Sequence, residues 1–124
     1  MRVLLADRNS DIRSALRLLL QEGAGLRVID EAKTAADLEK QSEQSPDLLI
    51  IDWELAATDL HRILPRLRLR NPSARVIVLT ANSEARLHAL QAGADYFVSK
   101  SEPPEQLLRI LNDILSQRQR CSPS

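Results

Sequence analysis

The stretch "LLIID" (residues 48–52) is apolar at four consecutive positions and then ends at a carboxylate. A strand that is apolar throughout is buried on both faces, whereas a half-buried strand alternates apolar and polar residues. Four other runs are apolar at every or nearly every position: "VLLA" (3–6), "LRVI" (26–29), "VIVL" (76–79) and "YFV" (96–98). The pattern predicts a parallel sheet covered by helices, so the expected fold class is α/β.

Segments with helical spacing separate these runs. The first has apolar residues spaced as on one helix face, from Ile12 to Leu20, and should end near Gly23. The third segment, "DLHRILPRLRLR" (59–70), contains Pro65, which should distort or delay the first helical turn. The other predicted helices span about Ala35 to Gln41, about Ser83 to Gln91, and from Pro103 and Pro104 to about Gln117.

Composition excludes several classes of protein. The chain has 124 residues, enough for one domain, and its 17 basic residues balance 17 acidic ones, so no net charge favours nucleic acid or membrane. Arg62, Arg66, Arg68 and Arg70 are therefore interpreted as a solvated helix face rather than a nucleic-acid site. Cys121 is the only cysteine, and no apolar run is long enough to span a membrane, so a cytoplasmic location is expected.

Polar residues follow the predicted strands at the point where each strand ends. In an open parallel α/β sheet, the functional crevice lies beyond the carboxyl ends of the strands. Asp7, Asp52, Thr80 and Lys100 all hold such positions, so two carboxylates, a hydroxyl and an ammonium should share one crevice. Taken singly, each has a structural alternative, because acids cap helices, threonine closes strands and lysine is often a surface charge.

The combination suits phosphoryl transfer to a carboxylate. A carboxylate can attack phosphorus when cations and hydrogen-bond donors meet the charge on the phosphoryl oxygens. Lys100 is the candidate cation and Thr80 the candidate donor. Mg²⁺ is usually held in such sites by one or two carboxylates, together with water and phosphate oxygens.

Four motifs together resemble the receiver domain of two-component response regulators: "VLLAD" (3–7), "PDLLIIDWELAATD" (46–59), "VIVLTA" (76–81) and "AGADYFVSK" (92–100). The resemblance covers essentially the whole chain in the same order and spacing. It implies a flavodoxin-like receiver fold, with a five-stranded parallel sheet in the order 2-1-3-4-5 and five helices. The receiver domain would span residues 1–119, followed by a short polar tail over 120–124.

The resemblance also implies roles for individual residues. Asp52 would be the phosphoacceptor, Asp7 the first acid of a metal-binding pair, and the backbone carbonyl of Glu54 a metal ligand. Thr80 would follow the phosphoryl group, Phe97 would turn inward in the active state, and Lys100 would contact the phosphate.

The resemblance further implies partners. A sensor histidine kinase or a phosphotransfer protein would deliver the phosphoryl group. The output would pass to a separate downstream protein, or to a homodimer, through the fourth helix, the fifth strand and the fifth helix. A non-enzymatic signalling domain is expected, with no direct contact to nucleic acid or membrane.

The sequence departs from the family at several positions. Arg8 stands where the family usually has a second acid, Ala56 and Leu60 stand where it usually has proline and glycine, and Ser101 replaces a proline, which makes a cis peptide unexpected. We expect Arg8 to lie across the crevice and pair with Asp52 or Glu54, because a guanidinium can bind a carboxylate through two hydrogen bonds. Mg²⁺ binding would then be weakened, and phosphorylation of Asp52 would be slow or absent. In the alternative, Arg8 points to solvent and Asp7, Asp52 and Glu54 still assemble a metal site.

Three functions follow from these observations. The leading hypothesis is a single-domain receiver in a phosphorelay, with Asp52 as the phosphoacceptor. The second is a phosphorylation-independent pseudo-receiver that serves as a constitutive interaction or dimerisation module. A flavin- or nucleotide-binding enzyme is disfavoured, because "ADRNSDIRS" (6–14) lacks a glycine-rich phosphate cradle after the first strand.

Overall fold

The computed structural model describes residues 1–55, 60–81 and 83–121. Every strand pair in its single five-stranded sheet is parallel, and the strand order is β2-β1-β3-β4-β5. The predicted fold class and strand order are therefore confirmed. The strands are β1 (Arg2–Ala6), β2 (Arg27–Ala32), β3 (Leu48–Asp52), β4 (Arg75–Thr80) and β5 (Tyr96–Ser99).

Within the described ranges, five α-helices connect and follow the strands, and short 3₁₀ or π segments extend several of them. A π-helical turn over Leu19–Gly23 continues the first helix, and 3₁₀ turns occupy Ser42–Gln44, Trp53–Leu55 and Ser83–Ala85. The α-helices are α1 (Ser10–Leu18), α2 (Ala35–Gln41), α3 (Leu60–Arg70), α4 (Arg86–Gln91) and α5 (Pro104–Cys121). The expectation for Ala56, and that for tail residues 122–124, fall outside the described residues.

Most helix boundaries agree with the predictions. Helix α2 has the predicted bounds, and the first helical segment ends at Gly23 as expected. A glycine suits that position because a Cβ there would lie 3.1 Å from the Leu108 side chain, closer than most such contacts. The close approach brings the end of the π-helical turn against α5.

Two helix predictions are wrong. Helix α3 begins at Leu60 and runs through Pro65, so the late first turn, one of the two effects expected of Pro65, does not occur. Pro65 removes one main-chain donor, but Ile63, Leu64 and Leu67 are buried on either side of it and anchor the helix to the sheet. Helix α5 continues to Cys121 rather than ending near Gln117, because the glutamines and arginines beyond the apolar stripe are good helix formers.

The core lies on both faces of the sheet. Strand β3 is buried at all five positions, which matches its uninterrupted apolar sequence. One face packs against α2, α3 and α4, and the other packs against the π-helical turn and α5. The largest buried side chains outside the sheet are Leu38, Leu64 and Leu67 on the first face and Leu20 and Leu111 on the second. Because all strand pairs in this buried sheet are parallel, the carboxyl ends of the strands lie at one edge.

The arginines of α3 form contacts within the protein. Arg66 pairs with Glu39 at 3.1 Å, and Arg68 pairs with Asp95 at 2.6 Å. Arg70 donates to the Glu39 carbonyl at 2.7 Å. These contacts join α3 to α2 and to the turn before β5, so the basic cluster has a structural explanation.

No helix in the described part of the chain is both long and apolar enough to cross a bilayer.

Candidate functional site

The four polar residues at the strand ends meet in one crevice. The Lys100 ammonium lies 3.0 Å from Asp7 Oδ2 and 3.1 Å from Asp52 Oδ1. Both carboxylates are buried, with 2% exposure for Asp7 and 4% for Asp52, and Thr80 has no exposed surface. The crevice therefore holds two buried acids under one cation, with a buried hydroxyl at the end of the neighbouring strand.

The turn after β1 holds Asp7 in place. Its backbone N–H donates to the Ala32 carbonyl at 3.0 Å, and its Oδ1 accepts from the Asn9 N–H at 2.9 Å. Asn9 in turn caps α1, because its Oδ1 accepts from the N–H groups of Asp11 and Ile12. The chain reverses direction between β1 and α1 while the Asp7 carboxylate stays directed into the crevice.

The turn after β5 positions Lys100. Its backbone N–H donates to the Thr80 carbonyl at 2.7 Å, which ties the lysine to the end of β4. Ser99 and Ser101 share a hydroxyl hydrogen bond of 2.7 Å on either side of it. The described residues contain no cis peptide bond, as expected from serine at position 101.

The charge of Lys100 is stabilised by its two partners. Burial acts to lower the pKa of this amine, but the hydrogen bonds to Asp7 and Asp52 outweigh burial and raise the pKa above its usual value. Lys100 therefore stays protonated and supplies the positive charge of the crevice.

The Glu54 side chain also enters the crevice. The 3₁₀ turn Trp53–Leu55 follows Asp52 directly, and the Glu54 N–H donates to Asp52 Oδ1 at 3.3 Å. The Thr80 hydroxyl donates to Glu54 Oε1 at 3.0 Å. The sequence analysis expected the Glu54 backbone carbonyl to bind a metal and its carboxylate to pair with Arg8 or join a metal site, but it did not predict the contact with Thr80. The signal for its side chain was an acid two residues after the strand-ending Asp52.

Asp52 and Glu54 share a hydrogen bond that shifts their pKa values in opposite directions. Burial raises the pKa of Asp52 to about 6, and the hydrogen bond with Glu54 adds to the rise, whereas Lys100 opposes it. Burial would also raise the pKa of Glu54, but hydrogen bonds with Asp52 and Thr80 lower it below its usual value. When one of these two carboxyl groups binds a proton, Asp52 is therefore the protonated group and Glu54 is the charged partner.

Arg8 does not occupy the crevice. Its side chain is exposed, and among the described residues it forms no ion pair or side-chain hydrogen bond. The predicted pairing of Arg8 with Asp52 or Glu54 is therefore wrong. Lys100 already neutralises the two buried acids, and bringing a second large cation out of water would carry a desolvation cost without an unpaired carboxylate to offset it.

The described acidic side chains do not assemble a three-acid metal site in this arrangement. No group of three or more His, Cys, Asp or Glu residues in the described ranges is placed to hold a metal ion. Asp7 and Asp52 both contact Lys100, the Glu54 carboxylate turns towards Thr80, and Arg8 offers no oxygen ligand. The alternative expectation combined a solvent-exposed Arg8 with a metal site formed by Asp7, Asp52 and Glu54. Arg8 is exposed as that alternative expected, but the three acids do not assemble a metal site.

Two aromatic residues lie near the crevice. Trp53 and Phe97 are half-buried and pack against the apolar cluster formed with α2, α3 and α4. The role of Phe97 as a switch residue stays a prediction.

Comparisons with known proteins agree with this fold. The family model of the response regulator receiver domain matches residues 3–112. The transcriptional activator protein ExaE of Pseudomonas putida is 34% identical over 119 residues, which are 94% of this chain and 56% of that protein. A protein-glutamate methylesterase/protein-glutamine glutaminase of Myxococcus xanthus is 37% identical over 103 residues, which are 80% of this chain and 30% of the relative.

A solved two-component response regulator of the LuxR family, from Aurantimonas, is similar in structure. It superposes with a TM-score of 0.81 at 27% identity, covering 94% of this chain and 85% of the other. The chain thus belongs to the response regulator receiver domain family of two-component signalling. It spans about half or less of the length of the curated relatives it matches.

Proposed function

We propose that this receiver domain accepts a phosphoryl group on Asp52 and transmits the change to a protein partner. The observation that supports the acceptor role is the placement of Asp52, buried at the end of β3 and 3.1 Å from the Lys100 ammonium. Receiver domains interact with histidine kinases and phosphotransfer proteins, so either could be the donor. The domain would signal by binding rather than catalyse a reaction on a separate substrate.

The side chains of the crevice suit the chemistry. In its charged form, an Asp52 oxygen would form a bond to phosphorus while the bond from phosphorus to the donor's leaving atom breaks. Lys100 would offset charge on the phosphoryl oxygens, and the Thr80 hydroxyl would donate to one of them. Asp7 would keep Lys100 in place through its 3.0 Å contact. We propose that Mg²⁺ binds weakly here, because Arg8 replaces an oxygen ligand.

The proposed output surface comprises α4, β5 and α5. Helix α4 exposes two leucines, with 63% exposure for Leu87 and 40% for Leu90. Phe97 lies on β5, the strand next to Thr80, so a change at the acceptor could alter this surface. A homodimer or a complex with another protein would bury about 800 Å² per partner if it were stable.

A second candidate function is supported by a specific observation. Thr80 already donates to the carboxylate of Glu54, and Arg8 replaces the family's second acid. A domain whose crevice is satisfied internally could bind its partner without phosphorylation. It would then act as a constitutive interaction or dimerisation module.

Intact-mass measurement after incubation with acetyl phosphate, with and without Mg²⁺, tests the acceptor role. The wild-type protein should gain the mass of one phosphoryl group, and Asp52→Asn should not. Asp113→Asn, an equal change at an exposed position on α5, should be labelled like wild type. Wild-type protein that stays unlabelled at excess donor but still binds its partner would favour the second candidate.

A further inference from the structure

We propose that the Glu54 carboxylate occupies the position beside Thr80 that a phosphoryl group on Asp52 would need, and that it competes with that group for the Thr80 hydroxyl. Glu54 would thus be a positioning residue that slows phosphorylation of the neighbouring Asp52. This inference rests on the proposed acceptor role of Asp52 and adds a means of regulating it. It concerns the side chain of Glu54, whereas the family resemblance assigned only the carbonyl.

The geometry of the turn places Glu54 next to the acceptor. The 3₁₀ turn after β3 brings the Glu54 N–H to 3.3 Å from Asp52 Oδ1, so the side chain starts beside the carboxylate that would be phosphorylated. It then reaches the end of the neighbouring strand, where Glu54 Oε1 accepts from the Thr80 hydroxyl at 3.0 Å. One side chain therefore contacts both the acceptor and the hydroxyl.

The competition follows from the single proton of a hydroxyl group. Thr80 is buried and its hydroxyl can donate only one hydrogen bond at a time, so a phosphoryl oxygen must displace Glu54 to receive it. The charges act in the same direction. A phosphoryl group brings nearly two negative charges, and Lys100 is already shared by Asp7 and Asp52.

Glu54 has a way to leave the crevice. Glu54 is half-buried, so its side chain can rotate to solvent without disturbing the core. The movement requires loss of its hydrogen bonds with Thr80 and Asp52, and this loss raises the barrier to phosphorylation. The unphosphorylated domain thereby keeps Thr80 engaged by a carboxylate, as a phosphoryl group would engage it.

Phosphorylation rates provide the first test. Under equal acetyl phosphate, Glu54→Ala should be phosphorylated about tenfold faster than wild type, the change expected for one charge-assisted hydrogen bond. Glu54→Gln keeps an oxygen that can accept from Thr80 but loses the charge, so its rate should be intermediate. Glu43→Ala removes an exposed carboxylate before β3, at the opposite edge of the sheet, and should match wild type. Equal rates for Glu54→Ala and wild type would overturn the inference.

A second measurement keeps the inference separate from the proposed function. If neither wild type nor Glu54→Ala is phosphorylated, the proposed acceptor role of Asp52 fails. Urea unfolding of Glu54→Ala, Thr80→Val and the double variant then tests whether the Glu54 carboxylate engages the Thr80 hydroxyl. A contact between the two side chains predicts a midpoint shift in the double variant that is smaller than the sum of the single shifts. Additive shifts would show that Glu54 does not engage Thr80, and the inference would fail.

Discussion

The Lys100 ammonium lies 3.0 Å from Asp7 Oδ2, although the two residues are 93 positions apart in the chain. The same ammonium lies 3.1 Å from Asp52 Oδ1, so one side chain links the residues that follow or end β1, β3 and β5. Lys100, the cation expected from the sequence, thereby pairs with Asp52, whereas Arg8 was expected to pair with Asp52 or Glu54 and does not. Two acids that are almost wholly buried can remain close together because this cation lies between them.

Removal of that cation should destabilise the fold. We expect Lys100→Ala to lower the free energy of unfolding by about 2 kcal/mol, because Asp7 and Asp52 would remain as buried acids without a cation beside them. Urea unfolding at neutral pH measures the effect. Lys33→Ala, at an exposed position, should stay within about 0.5 kcal/mol of wild type. Similar losses in the two variants would mean that the Lys100 contacts contribute nothing specific.

The placement of the strand-end residues could be predicted because it depends on the backbone alone. Once apolar runs mark buried parallel strands, their carboxyl ends must share one edge, and any residue just beyond them is near that edge. Asp7, Asp52 and Lys100 are together for this reason. The ends of helices were less predictable, since burial of Leu64 and Leu67 outweighs the effect of Pro65.

The side-chain arrangement within the crevice could not be predicted in the same way. Both Arg8 and Lys100 follow strands that end near the same acids. Which of the two pairs with these acids depends on which side chain the local backbone directs into the crevice. Lys100 is held by its backbone bond to Thr80, whereas Arg8 follows the buried Asp7 and projects to solvent. The contact between Glu54 and Thr80 likewise depends on the geometry of the turn after β3, which the amino-acid sequence alone does not specify.

The raised pKa of Asp52 gives a defined pH dependence. The pKa of Asp52 is raised from its ordinary value of 3.8 to about 6 in the folded protein, so between these pH values the folded state binds more protons than the unfolded state. Stability from this group should therefore fall as pH rises through that window, by up to about 3 kcal/mol. The lowered pKa of Glu54 acts in the opposite sense, but only as pH falls below its ordinary value of 4.5.

Urea unfolding of wild type and Asp52→Asn between about pH 4.5 and about pH 6.5 isolates this contribution. The stability of wild type relative to Asp52→Asn should decrease as pH rises, because asparagine does not titrate and the other groups are common to both proteins. A difference that stayed constant, or that grew with pH, would show that Asp52 is not protonated preferentially in the folded state.

Restoration of an acid at position 8 should create a stronger metal site. Arg8 is exposed beside the buried Asp7, so Arg8→Asp would add an oxygen ligand and remove a cation. We expect Mg²⁺ affinity to rise at least about tenfold, the effect of about 1.4 kcal/mol, and phosphorylation of Asp52 to become faster. Fluorescence of Trp53, the only tryptophan, reports on Mg²⁺ binding.

Arg27→Asp makes the same change of charge at the exposed start of β2, on the opposite edge of the sheet, and should leave Mg²⁺ affinity unchanged. If wild type bound Mg²⁺ and accepted phosphoryl as well as Arg8→Asp, position 8 would not control the site.

The exposed leucines of α4 should contribute to partner binding more than to folding. Leu87 is 63% exposed, so Leu87→Ser should change the free energy of unfolding by no more than about 0.5 kcal/mol. If α4, β5 and α5 form the output surface, the same substitution should weaken self-association at least about tenfold, since a central apolar side chain contributes about 1–2 kcal/mol to an interface. Sedimentation equilibrium measures this association, and Leu69→Ser on α3 is the matched control because Leu69 is 82% exposed on a different helix. If Leu69→Ser lost association and Leu87→Ser did not, the interface would include α3 rather than α4.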